Sequence, residues 1–481
     1  MAVEILQFPI AAVPSGGNSL WNAVHNPILF KFQREDLEID HIEIGSGTET
    51  QADIYPDDDS DPLFLAMQSG DKIYVSNSYI TGLFTVILAD SVKARISLPS
   101  GYVAGTYNNG WFNLNTQIEN YRFEVKIGLV VADVFTPFIT TEWVPDPTGL
   151  IEVDVAAYLK PYLPLVNEFQ YDVLNEKDTN LSNQFSVSVR QVWTGYTSEE
   201  FGALGTYYFT NSAKQIGDLY GGNMGEFVLF TGVSNAKFLS GFVQPHYWVG
   251  YPFDIAFINS LDSGTYPLER RTIAKDINGE GAVALDSNIE LAEFPYINRL
   301  TFSDLVNDSY YLDFRLQLAA GNVALTELKR IRLENDCLQQ PVYLCWKNKN
   351  GGWDYWMFQW NQKRKRTTGD LQTFEAYITD FAAATSRIKV SSKTAVPSMV
   401  LGASLVAKDD MYYNEQFPGL TGLLDSPEVL MLSNPATWDY DGPVWITVTP
   451  KTGVFNIIET RLTSSDIELE IVLPYIQIEK Q

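Results

Sequence analysis

The sequence predicts a mainly β protein made of several antiparallel β-sandwich or barrel-like domains with a few short helices. Apolar and polar residues alternate in many short windows, whereas helical spacing is rare. The chain of 481 residues also contains 33 glycines and 23 prolines, which is typical of short strands joined by turns. These observations favour antiparallel sheets over a parallel sheet wrapped by helices.

Period-two alternation identifies individual strands along the chain. In the first of these windows, apolar residues occupy the odd positions and charged residues the even ones, as a strand with one solvated face requires. The windows are Tyr121–Ile127, Phe185–Arg190, Leu312–Leu318 and Ile467–Ile471.

An aromatic segment in the last third of the chain predicts a β-hairpin. Pro341–Trp346 and Trp353–Trp360 are rich in β-branched and aromatic residues, and they contain four of the eleven tryptophans. The polar residues 347–352 between them include two glycines, which can adopt the positive φ of a tight reversal.

Alternation places aromatic side chains on both faces of the second hairpin strand. Trp353 and Tyr355 share one face, while Asp354 and Trp356 share the other. Strands that are aromatic on both faces are usually buried on both sides, so we expect a core or a subunit interface. The predicted interface residues are Trp346, Trp353, Tyr355 and Trp356, and the alternative is an exposed platform for sugar rings.

Helical segments are few and short. The candidates are Val155–Leu163, Leu325–Arg330 and Asp409–Leu424, the last interrupted by Pro418 and Gly419.

Two composition changes predict three consecutive domains. Prolines near 160–164 end a helix-like stretch, and a charged strand gives way to the aromatic hairpin near 335–341. We expect an N-terminal β-sandwich domain at 1–165 and a second β-rich domain at 166–335. A Trp-rich β domain with a short helical segment would occupy 336–481.

Charge and cysteine content limit the classes of partner. The net charge of −26 works against binding a phosphate backbone or an anionic membrane surface, so no nucleic-acid partner is expected. No window approaches the roughly 18 apolar residues that span a bilayer, so no membrane insertion is expected, and the N-terminus lacks a signal-like pattern. Cys337 and Cys345, the only cysteines, fit folding in a reducing cytoplasm, although one bridge between them stays open.

The acidic and histidine residues that could bind a metal ion or take part in catalysis do not occur at the spacings typical of such sites. Asp57–Asp61 contains four carboxylates and favours a solvated turn, with calcium ligation as the alternative. His25, His41 and His246 lie far apart and match no metal-ligand spacing. We therefore assign no catalytic, cofactor-binding or metal-binding residue, and the prediction is that the protein is not an enzyme. A glycan-cleaving carboxylate pair stays open, because spatial separation decides that chemistry.

The run Lys363–Arg366 is the one basic cluster in an acidic chain. A nucleic-acid site normally has a wider basic field around it, so we favour an exposed hairpin end or an inter-subunit salt-bridge patch. In a homo-oligomer, such a patch would meet an acidic surface of a neighbouring subunit.

Several segments resemble structural proteins of tailed phages and prophages of Bacteroidetes-type bacteria. The resemblance is carried by Cys337–Trp346 followed by Asn350–Phe358, by Asn26–Phe32, by Leu150–Val155 and by Gly422–Val429.

The resemblance implies a virion protein of the tail, assembled in the host cytoplasm, as a baseplate, distal-tail or tail-hub ring or adaptor. Its partners would be further copies of itself and neighbouring tail proteins, and it would need no cofactor. The alternative function is a receptor- or carbohydrate-binding protein at the tail tip that contacts a host surface glycan.

Overall fold

The computed structural model of the chain describes most of its length. The described residues are 3–12, 18–34, 37–45, 50–57, 62–65, 67–114, 120–146, 149–163, 181–193, 196–197, 200–215, 217, 221–232, 235–261, 265–289, 295–302, 309–335, 341–380, 382, 386–406, 410–435, 442–451 and 464–474.

The protein is mainly β, with 56% of residues in strands and 6% in helices, which confirms the predicted fold class. In chain order, the first strands are β1 (Val3–Gln7), β2 (Ala11–Ala12), β3 (Asn18–Ser19), β4 (Trp21–Ala23), β5 (Leu29–Arg34), β6 (Leu37–Ile44), β7 (Gln51–Pro56), β8 (Lys72–Ser76), β9 (Thr81–Ala89), β10 (Ala94–Ser97), β11 (Gly105–Asn108), β12 (Trp111–Leu114), β13 (Arg122–Val131), β14 (Val134–Trp143), β15 (Leu150–Asp154) and β16 (Ser182–Trp193).

The remaining strands complete the sheets of the second half of the chain. They are β17 (Tyr196–Thr197), β18 (Tyr207–Thr210), β19 (Val228–Leu229), β20 (His246–Trp248), β21 (Asp254–Asn259), β22 (Leu268–Lys275), β23 (Gly281–Ile289), β24 (Tyr296–Thr301), β25 (Tyr311–Leu318), β26 (Lys329–Glu334), β27 (Pro341–Lys347), β28 (Trp353–Glu375), β29 (Ile388–Val406), β30 (Val429–Leu432), β31 (Trp445–Pro450) and β32 (Ser464–Val472). All four windows of strict alternation lie in strands, within or overlapping β13, β16, β25 and β32.

Contacts group the chain into two compact units. Unit 1 contains residues 1–10, 26–161 and 183–209, and unit 2 contains residues 11–25, 162–182 and 210–481. The three consecutive domains of the sequence analysis stay a prediction.

Unit 1 combines a sandwich with a strongly curved sheet. The sandwich layers are β1-β5-β15 and β14-β13-β16-β18, and the curved sheet has the order β11-β6-β12-β8-β9-β10-β7. Strand β6 also pairs with β7, so the six strands from β6 to β7 in this order form a closed ring and β11 extends from β6.

Aromatic rings fill the sandwich core of unit 1. Phe30 from one layer meets Phe185 and Tyr207 from the other, with ring centroids 6.4 Å and 5.4 Å apart. Burial raises the pKa of Tyr207 to about 12. The alternation along β5 and β16 therefore supplies the inner faces of two packed sheets.

Unit 2 contains open sheets and a closed barrel. The open sheets that lie wholly within it are the pair β2-β3 and the sheets with the orders β19-β21-β24 and β20-β26-β25-β22-β23. The barrel has the order β27-β28-β29-β32-β31-β30, and β30 closes it by pairing with β27. Closure leaves the paired part of the barrel without free sheet edges.

Three α-helices lie in the described part of the chain: α1 (Pro62–Leu65), α2 (Ala156–Leu159) and α3 (Asp410–Asp425). Short 3₁₀ turns occur at Lys160–Tyr162 and Gly225–Phe227. Of the predicted helical segments, 155–163 contains α2, and 409–424 overlaps all of α3 except its last residue.

The predicted helix at Leu325–Arg330 is wrong. Leu325 donates to the carbonyl of Leu316, Thr326 forms a bridge with Ala236, and Lys329 begins β26. Pairing with distant strands satisfies these backbone groups better than one and a half turns of isolated helix would.

Helix α3 continues through Pro418 and Gly419, where the sequence indicated an interruption. A Cβ atom added at Gly419 would lie 2.4 Å from ring atoms of Phe242, so only glycine permits this approach. Gly422 occupies the same helix, yet its added Cβ would meet only the Trp346 indole at 3.7 Å.

We expect Gly419→Ala to lower the free energy of unfolding by ~1–3 kcal/mol, because the Phe242 ring must move within a packed core. The matched substitution Gly422→Ala should be neutral or stabilise the protein by up to ~1 kcal/mol through helix propensity. Urea unfolding of both variants measures the difference. Equal effects of the two substitutions would contradict the close approach at Gly419.

Candidate functional site

The aromatic hairpin forms as predicted. Strands β27 and β28 pair continuously from Pro341 opposite Gln359 to Lys347 opposite Trp353. Gly351 adopts a φ of 90°, the left-handed conformation for which glycine is suited.

The predicted interface residues lie in the interior of unit 2. Trp346, Trp353, Tyr355 and Trp356 are 0%, 3%, 2% and 5% exposed within the single chain. The predicted burial of both faces of the strand is therefore confirmed. Of the two predicted environments, a core and a subunit interface, these side chains lie in a core. An exposed sugar-stacking platform at these positions is wrong, and a role in subunit contacts stays a prediction.

Trp356 is surrounded by rings from elsewhere in unit 2. Phe242 stacks on it with centroids 5.6 Å apart, while Trp248 meets it edge-on at 5.0 Å. The His246 ring lies 4.8 Å away. Such ring pairs add about 0.5–1.5 kcal/mol each beyond the apolar area that they bury.

Tyr355 joins a buried ion pair to the hairpin. Its hydroxyl donates to Asp254 Oδ2 at 2.7 Å, and the same carboxylate accepts from Arg299 Nε at 3.1 Å. Burial raises the pKa of Tyr355 well above its ordinary value, so the phenol remains a donor. The opposite charges are paired through Asp254 Oδ2, whereas the buried Asp254 Oδ1 has no hydrogen-bond partner among the described residues, so the desolvation of the pair is only partly offset.

His246 is a buried structural histidine with a defined tautomer. Its Nε2 lies 2.8 Å from Gln416 Nε2, and its Nδ1 lies 2.8 Å from Glu334 Oε1. The amide nitrogen of Gln416 can only donate, so His246 Nε2 accepts and His246 Nδ1–H donates to Glu334. Burial lowers the pKa of His246, which is consistent with a neutral ring.

Asp354, the second residue of β28, has a strongly perturbed pKa. Its oxygens accept from the Gly241 N–H at 3.0 and 3.1 Å and from Ser240 Oγ at 3.2 Å. Burial raises the pKa of Asp354 to about 7, although these donors, together with Asn348 and the charge of Lys329, favour the carboxylate.

A cavity of about 450 Å³ borders the segment that holds Asp354, and several lysines line it. Lys214 and Lys237 both pair with Glu226, whose pKa they lower although burial opposes its ionisation. Lys329 donates to the Phe242 carbonyl at 2.8 Å, and burial lowers its pKa. Each of these charged groups has a partner within the chain, so we interpret the polar lining of the cavity as structural.

The other residues singled out by sequence are dispersed. His25 contacts Asn211 at 2.8 Å, and His41 contacts Asp40 at 2.6 Å. Cys345 is a buried free thiol, and burial raises its pKa well above the ordinary value. Its possible bridge partner, Cys337, lies outside the described residues.

Of the acidic run at 57–61, only Asp57 is described, and it is exposed. The described residues contain no group of three His, Cys, Asp or Glu side chains that could hold a metal ion. Within the same residues, no helix is long and apolar enough to cross a bilayer.

Strands β28 and β29 continue far beyond the barrel, which sequence analysis did not anticipate. Residues 353–359 of β28 pair with β27, and residues 398–406 of β29 pair with β32. Within the described residues, 367–375 and 388–396 have only each other as strand partners. At about 3.3 Å per residue, this two-stranded ribbon is roughly 30 Å long.

We call residues 363–397 the arm. The arm exposes large apolar side chains: Phe374, Tyr377, Ile388 and Val396 are 51%, 93%, 59% and 41% exposed. Phe374 lies opposite Lys389 and Ile388 opposite Glu375, so the ribbon shows an apolar residue on each face.

The basic run Lys363–Arg366 lies within β28 at the base of the arm, and the hairpin end is elsewhere, near 376–387. The side chain of Lys365 contacts Glu470 at 3.1 Å. Lys451 and Ser398 also bond Glu470, and these contacts lower its pKa to about 2.

Comparisons with known proteins leave the family open. No protein-family model matches the chain, and no curated protein matches it. A solved structure of the FN1–FN3 domains of chicken CNTN1 is similar at 10% sequence identity, with a TM-score of 0.14, over 62% of this chain and 99% of that one.

Asp354→Asn should change how stability depends on pH. The unfolded chain releases the Asp354 proton near pH 3.8, whereas the folded protein holds it until about pH 7. The stability from this group is therefore complete below the unfolded pKa and is lost as pH rises toward 7. Relative to Asp354→Asn, the wild-type free energy of unfolding should fall by about 1.4 kcal/mol per pH unit in this window.

Urea unfolding of the two proteins at several pH values between the two pKa values checks this expectation. Asp57→Asn, which removes one exposed carboxylate, is the matched control for the change in net charge. A constant difference between wild type and Asp354→Asn would show that Asp354 is ionised throughout.

Proposed function

We propose that this chain is a structural virion protein of a phage tail, of the baseplate, distal-tail or tail-hub type. It acts by self-assembly and by docking neighbouring tail proteins, and it carries out no bond-making chemistry. The location in a tail is supported by the sequence resemblance, and the structural role is supported by the arm.

The observation that carries the proposal is the two-stranded ribbon with open edges. An isolated two-stranded hairpin is marginally stable in water, and its unpaired edges are templates for further strands. The ribbon also exposes Phe374, Tyr377 and Ile388. Exposed apolar side chains of this size are typical of surfaces that contact another protein.

The architecture of both units suits the same role. Sandwich and barrel cores dense in aromatic rings form rigid modules, and rigid modules transmit contact geometry from one subunit to the next. Closed rings need heterologous interfaces, in which a projecting element of one subunit meets a different surface of its neighbour.

Replacement of residues 368–395 by Asn-Gly tests the proposal. Thr367 and Val396 are direct partners across the ribbon, so a two-residue turn can join them. The shortened protein should keep its free energy of unfolding within about 1 kcal/mol, because the removed strand segments pair with each other.

Negative-stain imaging then compares the purified proteins. We expect ring-shaped or stacked particles from the wild-type chain and dispersed single subunits from the shortened one. Mass spectrometry of tail particles from the organism that carries the gene should detect the protein in stoichiometric amounts. Absence from the particles, together with dispersed wild-type subunits, would refute a structural role in a tail.

A further inference from the structure

We propose that the arm docks onto a second copy of this chain, at the side of β6 and β7 in unit 1 where Asp40, Glu43 and Asp57 are exposed. This inference rests on the proposed function as an assembling subunit and identifies the two surfaces that meet.

The arm has the opposite charge to the rest of the molecule. Residues 363–397 contain seven basic and three acidic side chains, whereas the remainder of the chain contains 26 basic and 56 acidic. A positively charged ribbon on a strongly acidic protein therefore finds a complementary surface on another copy of the same protein.

The segment 35–61 is the densest acidic stretch of the sequence. It contains eleven acidic residues and neither lysine nor arginine. Strands β6 and β7 lie within it, and Asp40, Glu43 and Asp57 are exposed. On the other side of β6 and β7, Ile42 and Ile54 are buried in the core. The exposed carboxylates therefore lie on strands that are held rigidly.

Not every carboxylate of this segment is available to a neighbour. Asp53 pairs with Lys93 and Arg95 of the same unit, and these contacts lower its pKa although burial opposes its ionisation. The exposed carboxylates Asp40, Glu43 and Asp57 lack lysine or arginine partners among the ion pairs of the described residues.

Within the arm, basic residues lie beside the exposed apolar ones. Lys389 is the direct partner of Phe374, and Arg387 pairs with Glu375 at 3.1 Å beside Ile388. This arrangement combines apolar contact with charge attraction, and the charges steer the two surfaces together while excluding like-charged alternatives.

Charge reversal on both surfaces tests the inference with the full-length chain. Lys389→Glu/Lys393→Glu changes the arm, and Glu43→Lys/Asp57→Lys changes the acidic segment. Lys72→Glu/Lys160→Glu is the control. It changes the net charge by the same amount as the arm variant, but at exposed positions outside the arm. Far-ultraviolet circular dichroism and thermal unfolding establish that each variant is folded.

Sedimentation velocity over a range of protein and salt concentrations measures self-association. Wild type and the control should associate, less strongly as salt increases. The arm variant and the acidic-segment variant should each dissociate at protein concentrations at least about tenfold higher than wild type. An equimolar mixture of the two reversed variants should recover association, because each then offers a complementary pair to the other.

Three results would overturn the inference. They are a wild-type chain that stays monomeric, association unaffected by reversing either surface, and failure of the mixed variants to recover association. If association persists in both reversed variants, the subunits associate through a different interface, and the proposed structural function is not affected. In the first of these cases, arm-dependent binding of another protein would identify that protein as the partner of the arm.

Discussion

The structure of unit 2 depends on the burial of one strand on both of its faces. The first part of β28 places tyrosine and tryptophan rings on alternate sides, and each ring must be removed from water. One consequence is a closed barrel, in which β27 and β29 cover the strand edges. Another is the close approach of α3 at Gly419, where any larger residue would displace the Phe242 ring.

Burial of this strand also brings polar groups into the interior. Asp354, Asp254 and His246 are buried, and each is held by several donors or by an oppositely charged partner. Each bond offsets part of a desolvation cost and at the same time restricts how the surrounding strands can be arranged. Burial, opposed in part by hydrogen bonds and nearby charges, explains the perturbed pKa values of Asp354 and His246.

The same strand has a second half with opposite properties. Beyond the barrel, β28 and β29 keep their mutual pairing but lose every other strand partner among the described residues. The apolar side chains there are exposed, and the charge is basic in an acidic protein. One continuous strand thus provides both the best-buried core of unit 2 and the surface that we propose is covered by a neighbouring subunit.

The sequence by itself determined the mainly β class, the four alternating strands and the aromatic hairpin, because side-chain alternation and turn residues act over a few neighbouring positions. Tertiary structure decided the features that depend on distant partners. Leu325–Arg330 extends because Leu316 and Ala236 satisfy its backbone, and the barrel closes because β30 reaches β27. Pairing between distant strands also places Lys363–Arg366 at the base of the arm. The local sequence does not show at which residue a strand stops pairing with the other strands of the barrel.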